Sequence, residues 1–111
     1  MAAKANMIIE QGTDFSSTIT VQDSSGNITN LTGYTAAAQI RKHYTSNSAV
    51  SFTTGFGDPR SDGELTLSLT RIQTSNMESG RYVYDVELTD SANTRSRLVE
   101  GLVTITPEVT R

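Results

Sequence analysis

Along most of this chain, apolar and polar residues alternate with a period of two, the mark of half-buried strands. The clearest case is Gly80-Arg81-Tyr82-Val83-Tyr84-Asp85-Val86-Glu87-Leu88. Tyr82, Tyr84, Val86 and Leu88 share one face of such a strand, and Arg81, Asp85 and Glu87 lie on the other. Leu65, Leu67 and Leu69 repeat the pattern against Thr66 and Ser68. Phe15, Ser17, Ile19 and Val21 do so against Ser16, Thr18 and Thr20. A short opening strand is predicted from Met7 to Glu10, ended by Gly12.

Tyr34, Ala36, Ala38 and Ile40 share a parity opposite Gln39, Arg41 and His43. The alanine run alone favours helix, but Gly33 and the alternation after it favour a strand. Val50 and Phe52 predict a short edge strand, and Gly55 to Gly63 reads as a loop by composition. Thr70 and Gln73 stand at the spacing of a capping box. Ile72 and Met77 are expected to pin one or two helical turns, and Gly80 sits where a left-handed helix stop is expected. Asp23-Ser24-Ser25-Gly26-Asn27 and Asp90-Ser91-Ala92-Asn93 are turn signals. Leu31 is expected to tuck under the sandwich. The longest strand runs from Arg95 to Thr106. Gly101 is expected to mark a bulge or bend in it, because the apolar parity shifts among Leu98, Val99, Leu102, Val103 and Ile105.

Seven short strands at this spacing predict an all-β, immunoglobulin-like sandwich with one short helical turn. The 111 residues fit one domain, 1–111. A formal charge of -3 and a pI near 5.0 argue against a nucleic-acid partner, which a basic face would attract. No apolar run approaches a membrane span. Met1 to Ile9 is too short and polar for a secretory signal. These readings predict a protein made in the cytoplasm, soluble and not secreted by the general route, with no membrane partner. The chain has no cysteine, which removes disulfides and thiolate metal ligands.

The candidate chemistry is thin. His43, the single histidine, follows Arg41 and Lys42 and reads as a solvated strand end. Asp14, Asp23, Asp85 and Asp90 lack the spacing of a calcium loop and read as turn formers or outward carboxylates. Glu87 and Glu100 on a wet face read as ordinary surface carboxylates rather than an acid–base pair. Arg41, Lys42, Arg81, Arg95 and Arg97 read as cross-strand ion-pair partners, with Asp85 and Glu87 opposing Arg41, Lys42 and Arg81; a basic patch for an anionic partner surface is the minority alternative. Asn27-Ile28-Thr29 and Asn30-Leu31-Thr32 match the glycosylation pattern and, in a bacterial cytoplasm, mean only turns. Phe52 reads as core, and Phe56, flanked by glycines, reads as core or contact residue. No catalytic, cofactor-binding or metal-binding residue is assigned, no cofactor is expected, and the chain is not read as an enzyme.

Four blocks carry a resemblance. They are Gln11-Gly12-Thr13-Asp14-Phe15, Asn30-Leu31-Thr32-Gly33-Tyr34, Gly80 to Leu88, and Glu100-Gly101-Leu102-Val103-Thr104-Ile105-Thr106-Pro107. Their order and spacing over roughly residues 7–107 resemble the amino-terminal immunoglobulin-like domain of tailed-phage baseplate upper proteins. The chain is also similar to small virion structural proteins of phages infecting marine cyanobacteria. The resemblance implies a structural role in a virion, with other virion proteins as partners in multiple symmetric copies. Docking at the tail or baseplate is the expectation, and capsid decoration is the alternative. A carbohydrate-binding attachment module ranks below both. The expected contacts are the arm 44–63, the segment Ala2 to Asn6 and the tail Pro107 to Arg111. Within them the candidate residues are Phe56, Asp58, Arg60, Pro107, Glu108 and Arg111.

Overall fold

In the computed structural model, which describes residues 3–23 and 25–109, the alternating segments fold into two facing sheets. The strands are β1 (Ala3–Lys4), β2 (Met7–Glu10), β3 (Phe15–Thr20), β4 (Thr35–Arg41), β5 (Val50–Ser51), β6 (Thr53–Phe56), β7 (Glu64–Leu69), β8 (Gly80–Thr89) and β9 (Arg95–Thr106). A helix, α1 (Arg71–Ser75), and a 3-10 turn at Arg60–Asp62 join them. The larger sheet runs β1-β9-β8-β4-β5, with β2 also on β9, and the smaller runs β3-β7-β6. This is the all-β sandwich that the alternation predicts.

The core lies where the two inner faces meet. Leu65, Leu67 and Leu69 of the small sheet face Ile9, Ile40, Tyr84, Val86, Val103 and Ile105 of the large one, all buried. Fully burying one such side chain contributes roughly 1.5–3 kcal/mol. Leu31 is fully buried under the sandwich, as its place in the connector predicts. Ala38 and Ile40 are buried on one side of β4, so burial overrides the helical propensity of the alanines. Phe52 is core and packs on Phe15 and Tyr84.

The chain changes sheets at Phe52. Val50 pairs with Ile40 on β4, and Thr53 pairs with Ser68 on β7. Gly55 and Phe56 therefore belong to a strand, which corrects the loop expected from 55 onward. Two residues of alternation with a glycine between are too short a signal to read locally.

The parity shift in β9 also has another origin than Gly101. Val86 pairs with Val99 and Glu87 with Arg97, so the extra residue is Leu98. This bulge returns Arg97 and Arg95 to the outer face, where continued alternation would turn Arg97 inward. Gly101 stays in register opposite Tyr84. It is required for another reason: a Cβ there would collide with the Ala5 carbonyl oxygen.

The capping box forms as its spacing predicts. Thr70 Oγ1 accepts from Gln73 N at 3.2 Å, and Gln73 Oε1 accepts from Thr70 N at 2.9 Å. The helix ends at Asn76 in a right-handed conformation, so Gly80 is not its stop. Gly80 instead opens β8 at φ 136, which a side chain would resist. Of the two residues expected to pin the helix, Met77 is buried and Ile72 is exposed.

Candidate functional site

Strand directions sort the candidate contacts to opposite ends of the sandwich. Glu10 pairs with Thr106, Gly80 with Ile105, and Phe15 with Leu69. One end therefore gathers the β2–β3 turn, α1, the start of β8, the β4–β5 loop and the tail after β9. Phe56 and Leu65, which pair at the far end of β7, mark the other.

The first end is cross-tied by Gln11. Its backbone N donates to Thr106 O at 3.0 Å. Its side-chain Nε2 donates to Met77 O at 2.8 Å, and its Oε1 accepts from Glu108 N at 3.1 Å. One residue thus joins the turn, the segment after α1 and the tail. Asp14 Oδ1 accepts from Arg71 N at 2.8 Å, and Thr74 Oγ1 donates to Thr13 O at 2.8 Å. Each bond adds about 0.5–1.5 kcal/mol net, and together they make the end stiff. Pro107 is exposed and Glu108 half-buried against Gly12. Arg111 lies outside the described residues, as does Ala2 of the expected amino-terminal contact. Three large exposed apolar side chains stand at this end: Tyr44, Ile72 and Val109.

At the other end Phe56 is half-buried against the core. The Arg60 guanidinium lies 4.3 Å from the Phe56 ring centroid and donates to Tyr34 O at 2.9 Å. Arg60 O accepts from Leu31 N at 3.1 Å. Arg60 therefore holds its own loop together, and Asp58 beside it is exposed. Phe56 and Arg60 present one stacked pair, so the five candidates among the described residues form two separated groups rather than one surface.

The amino-terminal segment is strand rather than free arm as far as it is described. Lys4 pairs with Glu100 and Met7 with Val103, both parallel to β9 in one register. Between them the ladder is carried by Ala5 N donating to Glu100 O and by Leu102 N donating to Asn6 Oδ1, each at 3.0 Å. Tyr84 Oη donates to Ala5 O at 2.7 Å. Burial pushes the Tyr84 phenol upward in pKa. Tyr82 also titrates high, first from burial and then from the Glu78 charge, although its hydroxyl donates to Glu78 O. Tyr82 is half-buried, not core, and Lys42 Nζ sits 4.7 Å from its ring centroid.

The outer face of the large sheet carries the charges. Arg97 Nε lies 3.4 Å from Asp85 Oδ2, and Arg97 Nη1 lies 3.1 Å from Glu100 Oε2. The hydrogen bond to Glu100, then the Asp85 charge, holds the guanidinium still more firmly protonated. Cross-strand ion pairing is thus present, but the Asp85 partner is Arg97 and not the expected Arg41, Lys42 or Arg81. Arg41 donates instead to Ser46 O and Gln39 Oε1. Two adjoining concavities of about 260 and 300 Å³ cross this face and share Gln39, Asp85 and Glu87. The first falls below, and the second only reaches the floor of, the ~300–1,000 Å³ typical of ligand sites. Tyr44 borders the first.

The remaining candidates have local roles. Asp23 Oδ1 accepts from Ser25 N and Asn27 N, and Asp90 Oδ1 from Ala92 N and Thr94 N, which closes both turns. His43 is exposed, and its backbone N donates to Ser46 Oγ. Among the described residues no group of three or more His, Asp or Glu is placed to hold a metal ion. Sequence reading placed Gln11 in a resembling block and Asn6 at the end of the amino-terminal contact segment but assigned neither side chain a role. Their side chains replace main-chain partners, and an amide beside a strand end gives no signal of this on its own.

No protein-family model matches the chain, and no curated protein matches it in sequence. Among solved structures, an internalin-like protein of Listeria monocytogenes is similar over 96% of this chain at 16% identity, with a TM-score of 0.46. The chain spans 28% of that protein's length, and nothing about function rests on so loose a likeness.

Proposed function

We propose that this chain is a non-enzymatic structural protein of a tailed-phage virion that binds other virion proteins at the tail or baseplate. The observation that supports this reading is the placement of the resembling blocks. Asn30 to Tyr34 lies with Arg60 at the far end, whereas Gln11 to Phe15, the Gly80 end of the third block and the Thr106-Pro107 end of the last, far apart in sequence, meet at one end of the sandwich, joined through Gln11 and Thr106. The same end exposes Tyr44, Ile72 and Val109. Preorganised apolar groups on a stiff support lower the ordering cost of binding.

The test is immunogold labelling of intact particles with an antibody to this chain, paired with mass spectrometry of dissociated particles. Label at the tail tip supports the reading. Label over the head replaces it with capsid decoration. A chain missing from purified particles by both methods sinks the virion role.

A second reading, a carbohydrate-binding attachment module, is favoured by one observation. Tyr44 is 74% exposed beside a concavity that also holds Gln39, Arg41, Asp85, Glu87 and Arg97. An open aromatic ring next to planar polar side chains suits a sugar face. Binding on a glycan array that is lost in Tyr44→Ala would favour this reading, and a blank array would dismiss it.

A further inference from the structure

We infer that the free edge of β3 pairs antiparallel with the same edge of a second copy of this chain, joining two three-stranded sheets into one of six strands. Among the described residues β3 pairs only with β7, so its other side is open. Natural sheet edges are guarded by charge, proline, bulges or brevity. β5 has two residues, β6 has four with Gly55 among them, and β2 ends on Glu10. β3 has none of these guards: its six residues are Phe-Ser-Ser-Thr-Ile-Thr, uncharged throughout.

The backbone faces the right way. Val21 N donates to Gly63 O on the β7 side at 2.7 Å. N–H groups alternate sides along a strand, so those of Ser16, Thr18 and Thr20 point to the open edge. Burial agrees that something is uncovered. On β7 the inward residues Leu65, Leu67 and Leu69 are buried, whereas on β3 the inward Phe15, Ser17 and Ile19 are only half-buried.

The occupant follows from symmetry within the strand. Phe15 and Ile19 are equidistant from Ser17. In an antiparallel pair centred on Ser17, Phe15 of one copy faces Ile19 of the other, twice over. Aromatic and β-branched residues across strands are among the favourable pairs. On the wet face Ser16 meets Thr18, two hydroxyls within reach of one another. No like charges meet between Phe15 and Thr20. A two-fold contact of this kind is self-complementary, as closed dimers require. A six-residue edge is small beside the ~800 Å² per partner of a standard interface, so the pair is weak alone and gains from crowding of copies. The inference concerns the free chain and does not rest on the virion reading.

Single-cysteine variants test it, because the chain has no cysteine of its own. Residues opposite one another at a non-hydrogen-bonded position lie ~4.5 Å apart at Cα. That is inside the roughly 4.4–6.8 Å that a disulfide spans. Ser17→Cys on the two-fold is expected to form a covalent dimer under mild oxidation at least tenfold faster than Thr18→Cys, which faces Ser16. Adding Thr18→Pro to Ser17→Cys removes an N–H from the open edge only, and is expected to abolish the cross-link while the circular dichroism spectrum is kept. Equal rates for the two cysteine variants overturn the inference. So does a cross-link that survives in folded Ser17→Cys/Thr18→Pro. Should the proline variant not fold, the ratio of the two cysteine rates decides alone.

Discussion

The two sheets share one interior and differ on the outside. Inward, both present mainly apolar side chains at alternate positions, buried throughout β7 and only half-buried along β3. Outward, the large sheet carries long charged groups, with Arg97 bridging Asp85 and Glu100. The small sheet presents Ser16, Thr18, Thr20, Thr53, Thr66 and Ser68, with Thr18 and Thr66 hydroxyls 3.1 Å apart. The same period of two built both faces, so alternation dictates what is buried and leaves the outer chemistry free. The large sheet closes its outer face with its own ion pairs. The small one leaves a flat, short-chained surface and a bare edge.

If the interior is common, truncation on either sheet must cost alike. Leu67→Ala in β7 and Ile105→Ala in β9 are each expected to lose about 2–5 kcal/mol in urea unfolding. A loss confined to one sheet would mean that the sheets do not form one cooperative core.

The next largest effect tests the close approach on the large sheet. Gly101→Val puts a side chain where Ala5 O lies. It is expected to cost about 1–3 kcal/mol and to raise amide exchange at Ala5 and Leu102. The equivalent change in the small sheet, Gly55→Val, meets open space and is expected to change little.

A pH effect follows from Tyr84, whose folded pKa is raised by burial. The neutral phenol is favoured in the fold, so this stabilisation is full below the ordinary value of about 10 and is lost as pH rises through the folded value. Chemical unfolding from pH 8 upward is expected to weaken above pH ~10, and less steeply in Tyr84→Phe. Equal slopes would refute the burial effect.

The smallest effect is expected at the outer charges. Arg97→Gln is expected to lower the melting temperature slightly at low salt and not at all near 1 M salt, because the pair is exposed. Thr66→Val on the small sheet is expected to show no salt dependence.

The inward set was legible because burial acts on each residue by parity. Leu65, Leu67, Leu69, Tyr84 and Val86 all fall where alternation puts them. Sheet partners were not legible, since the parallel match of β2 to β9 joins residues almost a chain length apart. The partner of Asp85 depended on the bulge at Leu98, which the adjacent Leu98 and Val99 signal only as a shift of parity. Phe56 was ambiguous because its cover, Arg60, arrives by a turn rather than by a strand. Of the candidate contacts, Pro107 was legible as part of an exposed end, whereas Glu108 is half-buried against Gly12. The tie of Glu108 to Gln11 was not legible, because one side-chain amide sets it.

The parallel match of β2 with β9 also has a mechanical meaning. A pull applied at Ala3 and Val109 in opposite directions runs along both strands. It loads the Met7–Glu10 ladder in shear, all bonds at once, rather than peeling them one at a time. A unit built this way transmits tension from end to end, and yields only when that whole ladder slips together.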